Sequence, residues 1–317
     1  NSYILLFKTS HRITHMTAPS MQKGEFFSAK HGILWMMAAM MMFSGTNAIA
    51  KLLMEQYPVI QIIWARYFFQ FILLLIFLSP RLSNVFITEN LRLQILRSLL
   101  LLGTSILFFF GLSYIALAEM SSIMFVAPIL VTVLSMPLLG EKVRLRRWVS
   151  IIVGFFGALV IIRPGYGEMQ ISALFPIGAA CLYALYQIST RYLRSENAMT
   201  TLLYTASSGT IILTAIVPFY WLEPDMKAWG MMIFLGVTSN LGHFSMIKAY
   251  RAAPAATVVP FSYVNLLWAT LFGYILFSNL PDIWTTIGAT IIAGSGLYIF
   301  HREHTLGKEN TPSRVLS

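Results

Sequence analysis

Ten apolar stretches of about 20 residues recur along the chain, and that is the length a helix needs to cross a hydrocarbon core. They fall at residues 31–53, 58–79, 93–117, 120–139, 145–163, 172–191, 199–221, 228–248, 255–278 and 281–300. Each run is continuous rather than alternating and about twice as long as a barrel strand, so the fold class expected is an all-α membrane protein with ten transmembrane helices. With 57% hydrophobic and 11% charged residues, the chain is too apolar for an ordinary soluble domain. The loops are short, which leaves no room for a separate soluble catalytic domain, so any site must lie among the helices.

A net charge of +10 would fit nucleic acid, but the positions of the charges fit a membrane instead. One side of the membrane collects Lys8, Arg12, Lys23 and Lys30, then Arg81, Arg92 and Arg97, then Lys142, Arg144, Arg146 and Arg147. It continues with Arg191, Arg194, Lys248, Arg251, Arg302, Lys308 and Arg314, giving 18 basic residues against only Arg163 and Lys227 on the other side. Basic loops stay cytoplasmic, so both termini are expected there. Residues 1–29 and 301–317 are read as cytoplasmic tails. The chain opens on Asn1, and Met16 or Met21 would serve as a start, so the first tail is given no fold role. Tyr3 to Phe7 is too short for a cleavable signal, and the first span is expected to stay attached.

The chain also repeats itself. At an offset of about 136 residues, Tyr114-Ile-Ala-Leu-Ala-Glu-Met-Ser-Ser lies over Tyr250-Arg-Ala-Ala-Pro-Ala-Ala-Thr-Val, Phe125 over Phe261 and Trp148 over Trp284. Two units follow, residues 30–163 and 172–300, each of five helices. Because five is odd, the second unit enters from the opposite face, so the repeats are inverted, a pattern characteristic of secondary transporters with a site at the midplane.

Polar residues inside a bilayer need a partner, a water-filled cavity or a solute. Arg66 lies mid-span, either as a cation facing an anionic group or as a structural residue bonded to helix ends or to Gln70 one turn away. Lys51 is near a span end, where its stem reaches the interface. Tyr183, Tyr186, Gln187 and Thr190 follow i, i+3, i+4 and i+7, a stripe of two rings and two hydrogen-bonding groups suited to a flat ligand. His243, with Asn240 one turn before it, either relays protons or bonds a neighbouring helix. Phe261, Asn265 and Trp268 share a face of the ninth span, and Asn47 with Ser44 forms a weaker polar face on the first. Pro128 and Pro260 remove backbone donors within spans and are candidate hinges. Gly103, Gly154, Gly157, Gly288, Gly294 and Gly296 read as close-packing positions. Cys181 stands alone, and no His, Cys or acid accompanies His243 at metal-ligand spacing, so neither a disulfide, a metal nor a cofactor is expected. Paired acids, HExxH and a nucleophile with its base are all lacking, which argues against an intramembrane transferase and leaves no catalytic residue to name.

Several tracts resemble the EamA-type transporters of the drug/metabolite transporter superfamily: Asn47 to Lys51, Arg66, Ala127-Pro128, Pro137 to Lys142, Gly242-His243 and Ala249 to Pro254. Trp268 to Tyr274, Leu280-Pro281-Asp282 and Ser295 to Tyr298 complete the likeness, which spans roughly residues 30–303. The resemblance implies a ten-helix, multi-pass carrier of the bacterial inner (plasma) membrane, whose central cavity, lined mainly by helices 1, 3, 4, 6, 8 and 9, opens alternately to each side. Within the family, Tyr183 to Gln187 and Gly296 to Tyr298 look most like proteobacterial riboflavin-type carriers and more loosely like S-adenosylmethionine carriers. The sequence departs from the family where Gly140-Glu141 of the first half is matched by Ser278-Asn279 in the second, which weakens coupling to protons through an acid there. The expected function is movement of a small polar or heteroaromatic metabolite, with export of amino acids or toxic compounds as the alternative. The expected partners are a small-molecule solute and the lipid bilayer, with a homodimer left open and no nucleic acid.

Overall fold

Apolar residues all around a helix leave it no stable place except among other helices or in lipid, and the computed structural model is correspondingly built of helices. It describes residues 23–79, 87–139, 145–162, 174–193, 196–252 and 264–309, together with Val85, Ser172, Phe261 and Ser262. The first half contains α1 (Lys23–Met54), α2 (Val59–Leu78), α3 (Leu91–Tyr114), α4 (Leu117–Met124), α5 (Ala127–Leu139) and α6 (Leu145–Ile162). The second contains α7 (Leu174–Tyr192), α8 (Ala198–Ile216) with a 3₁₀ turn at Val217–Tyr220, α9 (Met226–Ala252), α10 (Val264–Phe277) and α11 (Ile283–Glu309).

Five described helices are long and apolar enough to cross a membrane: Lys30–Met54, Val59–Leu78, Leu91–Tyr114, Met199–Tyr220 and Met226–Ala249. Ile152–Ile161, Leu174–Thr190, Val264–Phe277 and Ile283–Ser295 are apolar but shorter, so the expectation of ten full-length spans is met in part. The fourth span is not one continuous helix. Phe125 and Val126 donate to the carbonyls three residues back, at 3.2 and 3.0 Å, and a new helix starts at Ala127. Pro128 has no N–H to offer the Met124 carbonyl, so the α-helical ladder cannot run through this point.

Short polar caps set the ends of the helices. The side chains of Asn197, Asp225 and Asp282 accept from the backbone N–H of Met199, Ala228 and Thr285 at the starts of α8, α9 and α11. Lys51 Nζ donates to the carbonyls of Leu112 and Ile115 at the end of α3, at 2.9 and 2.5 Å, where a cation also meets the negative end of the helix dipole. At the end of α10 Ser278 takes a left-handed φ of 54°, with its N–H on Tyr274 O and the Asn279 N–H on Gly273 O. This Schellman-type end favours glycine, which the first half carries at the matching Gly140. Ser278→Gly is therefore expected to stabilise the protein by about 0.5–1 kcal/mol, seen as a higher midpoint in detergent unfolding.

The helices pack by interchange. α1 lies chiefly on α9 and, in the other half, α7 lies on α3; α2 meets α9 as α8 meets α3; α1 meets α10 as α7 meets α5. The helices that would map onto each other also pair directly: α2 with α8, α4 with α10, and α6 with α11. These contacts recur in matched pairs between the two halves. Along the α6–α11 seam Gly157 and Gly288 face each other so closely that a Cβ on either would stand 2.5–2.9 Å from the other's carbonyl oxygen. Gly103 is similarly pressed by Leu182, whereas Gly294 faces open space, so that expected packing position is corrected: among the described residues no neighbour there requires a glycine.

Candidate functional site

The halves meet across a polar seam. Thr46 Oγ1 bonds Thr238 Oγ1 at 2.7 Å, Trp64 Nε1 donates to Thr214 Oγ1 at 2.9 Å, Gln61 exchanges two bonds with the Leu222 backbone, and Asn240 Nδ2 donates to Gln70 O at 3.0 Å. Two guanidinium groups lie along the same seam.

Arg97 on α3 is only 4% exposed. Its Nε donates to Thr190 Oγ1 at 2.8 Å, Nη1 to Thr205 Oγ1 at 2.8 Å and to Thr201 O at 3.4 Å, and Nη2 to Tyr186 Oη at 2.7 Å. The Tyr186 ring lies 4.4 Å from the same guanidinium carbon. All of these acceptors are neutral. One side chain thus ties α3 to α7 and α8.

Arg66 on α2 is half-buried and differently held. Its Nε donates to Ser239 Oγ on α9 at 3.0 Å, and its guanidinium carbon lies 5.4 Å from the Phe109 ring and 5.8 Å from the Tyr67 ring. Tyr67 cannot swing aside, because its hydroxyl is held to Ser105 Oγ at 2.9 Å and a Cβ on Gly209 would overlap its ring. The structural alternative through Gln70 is not used: Gln70 accepts from Asn240 by its backbone, and its Nε2 is buried without a partner.

The stripe read from spacing on α7 does converge. Tyr183 and Tyr186 stack at 5.6 Å between centroids with 21° between planes, and Thr190 meets Arg97 one turn on. Gln187 is half-buried on the same helix. His243 is buried on α9, with its ring edge-on to Phe43 at 4.9 Å. Arg66, Tyr67, Arg97, Tyr186 and His243 are close enough to act on one another electrostatically, so α2, α3, α7 and α9 supply a single cluster.

The residues expected on the ninth span form a second group. Trp268 stacks on Phe272 at 6.1 Å, and Phe272 lies against Gly45 of α1. The Asn265 Oδ1 and Trp268 Nε1 atoms, an acceptor and a donor one turn apart, are both buried without a hydrogen-bond partner. Phe261 is half-buried and packs against Met36 and Ala249. Asn47 is half-buried on α1, one residue from the Thr46–Thr238 bond. Pro128 follows the α4–α5 break directly, and Pro260 lies outside the described residues.

Sequence reasoning counted Arg97 with the basic residues flanking the spans, and the structure corrects this: the side chain is inside the bundle. A signal was present, since Gln94, Arg97, Ser98, Thr104 and Ser105 recur at helical spacing along α3 and all are buried. Ser239, which receives Arg66, carried no comparable mark.

The EamA-like transporter family matches residues 30–163 and 170–300. A Rickettsia felis protein named S-adenosylmethionine uptake transporter is 27% identical over 273 residues, covering 86% of this chain and 93% of its own. A Vibrio cholerae protein named riboflavin transporter is 28% identical over 290 residues, covering 86% and 95%. A Pseudomonas aeruginosa protein named pseudopaline exporter CntI is 26% identical over 277 residues, covering 83% and 93%. A crystal structure at 14% sequence identity shares the fold with a TM-score of 0.63 over 90% of this chain and 99% of that one. With two repeats matched over most of its length, the chain belongs to the EamA-like transporter family of the drug/metabolite transporter superfamily and is a multi-pass membrane transporter of small solutes rather than an enzyme.

Proposed function

We propose that this protein is a secondary transporter that carries a small polar or heteroaromatic metabolite, with a riboflavin-like solute favoured, across the bacterial inner membrane by alternating access. The observation that carries the reading is the cluster of Arg66, Tyr183, Tyr186 and His243, assembled from both halves at the seam where they meet. Stacked tyrosines offer a flat face, and the cations and amides offer hydrogen bonds at its rim. The ten spans form two five-helix units, 30–163 and 172–300, inserted in opposite directions, and the interchanged packing supports this. The charge balance of 18 against 2 supports cytoplasmic termini.

In this reading Asn47, Arg66, Tyr183, Tyr186, Gln187, His243, Phe261, Asn265 and Trp268 contact the solute, and Pro128 and Pro260 are hinges. The α4–α5 break supports the first hinge, because a chain already relieved of helical bonds bends at low cost. The unpartnered Asn265 Oδ1 and Trp268 Nε1 support the second binding group: an acceptor beside a donor complements the N–H and C=O edge of a ring lactam or imide.

The test is growth rescue of a riboflavin-requiring strain, alongside uptake of labelled riboflavin and S-adenosylmethionine by proteoliposomes. Riboflavin flux is expected. Asn265→Leu or Trp268→Phe should each lower its apparent affinity about tenfold while leaving the folded yield intact, since each removes one solute bond of about 1–2 kcal/mol. Flux of S-adenosylmethionine alone would reassign the solute, and absence of flux for either would end the riboflavin proposal. Export is the second reading, favoured by the relative named as an exporter, and it predicts flux from inside-loaded vesicles only.

A further inference from the structure

Resting on the transporter reading above, we propose that, among the solutes it carries, the protein prefers one bearing a negatively charged oxygen group, a carboxylate or a phosphate, which Arg66 holds during passage. The charge inventory of the bundle leads there. Of the acids whose side chains are described, Glu55, Glu89, Glu223 and Asp225 are exposed, and Glu119, Glu196 and Asp282 are half-buried at helix starts or in loops. Among the described residues, none of the buried polar side chains is an Asp or Glu, although Arg97 is among them. The described interior is therefore positive around Arg66 and Arg97.

The two arginines answer this excess in different ways. Arg97 is well satisfied: four of its five N–H groups reach three hydroxyls and a carbonyl. Neutral oxygens spread its charge without any need for a counter-ion. Arg66, in the same electrostatic cluster, has one bond, from Nε to Ser239 Oγ, and its remaining contacts are ring faces. Among the described residues its two terminal nitrogens meet no acceptor, and no acid pairs with it. A guanidinium left in that condition is costly inside a membrane, and a fork of two N–H groups matches the two oxygens of a carboxylate or phosphate. Phe109 and Tyr67 flank the fork with aromatic surface, so the group recognised is an oxyanion attached to an apolar or aromatic body. A cationic solute would meet repulsion at the same point.

The experiment uses the purified full chain in detergent at constant ionic strength. Binding is read from the melting curve with riboflavin, riboflavin 5′-phosphate and citrate, in wild type, Arg66→Gln and Arg66→Lys. The phosphate ester has the same ring as riboflavin and differs only in the phosphate at the end of its ribityl chain. It is expected to bind wild type about tenfold more tightly than riboflavin, to lose that advantage in Arg66→Gln, and to keep part of it in Arg66→Lys, which preserves charge but not the fork. Equal or tighter binding of riboflavin to wild type would overturn the proposal, and so would an advantage that survives in Arg66→Gln. If neither flavin binds, the heteroaromatic reading fails separately, and citrate decides: stabilisation of wild type that Arg66→Gln loses upholds the oxyanion site, and no response in wild type refutes it. Should Arg66→Gln fail to fold, the wild-type comparison and Arg66→Lys still separate the two outcomes.

Discussion

Arg97→Lys is expected to destabilise the protein by about 2–4 kcal/mol, and by more than Arg97→Met does, although lysine is the conservative choice. The reason is geometric. Three guanidinium nitrogens reach acceptors on two different helices, Thr190 and Tyr186 on α7 and Thr201 and Thr205 on α8. An ammonium presents its donors from a single atom and cannot span them, yet it keeps the full cost of a buried charge. Methionine gives up the bonds, each worth about 1 kcal/mol in a membrane interior, but it removes that charge as well. The freed Thr190 and Thr205 hydroxyls retain their bonds to the carbonyls of Tyr186 and Thr201. Denaturant unfolding of the three purified proteins checks the order, and a methionine variant weaker than the lysine variant would contradict it.

A second large effect is expected at the α6–α11 seam. Gly288→Ala places a methyl group 2.5 Å from the Gly157 carbonyl oxygen and equally near Ile161, and a backbone oxygen cannot rotate away as a side chain can. The helices must separate, at a cost of about 2–4 kcal/mol, and folded yield should fall accordingly. Gly294→Ala on the same helix is the matched control. With nothing within 4 Å of its added methyl, it is expected to be neutral or to gain up to about 1 kcal/mol from helix propensity. Size-exclusion recovery and unfolding midpoints of the two variants, measured in parallel, separate packing from propensity.

The helical class and the repeated halves were legible because they rest on properties that survive translation along the chain: run length, charge side and offset self-similarity. The α7 stripe was legible for a similar reason, since Tyr183, Tyr186 and Thr190 carry polar atoms at helical spacing in an apolar background. Arg97 was obscured by its position six residues into α3, where a basic residue also fits a membrane-flanking role, and only the periodic Gln94, Ser98 and Ser105 pointed inward. The break at Phe125 to Val126 was anticipated as a bend at Pro128 but not as two separate helices, because proline chemistry fixes where a ladder fails and packing decides how far it opens. Which apolar face turns to protein and which to lipid was not readable at all. Both solvents are greasy, and a helix that is hydrophobic on every side carries no compass in its sequence.

The neutral bonds between the halves set a condition on how such a carrier can work. Thr46 with Thr238, Trp64 with Thr214, and Asn240 with the Gln70 carbonyl are rungs of about 1 kcal/mol each, spread along the depth of the bundle. A rocking motion would undo them one after another rather than all at once, and hydroxyls released on one side can find a helical carbonyl within their own turn. Along these rungs the barrier is divided into small steps, like a zip opening from one end, whereas Arg97, whose four bonds also cross between the halves, stands as a latch.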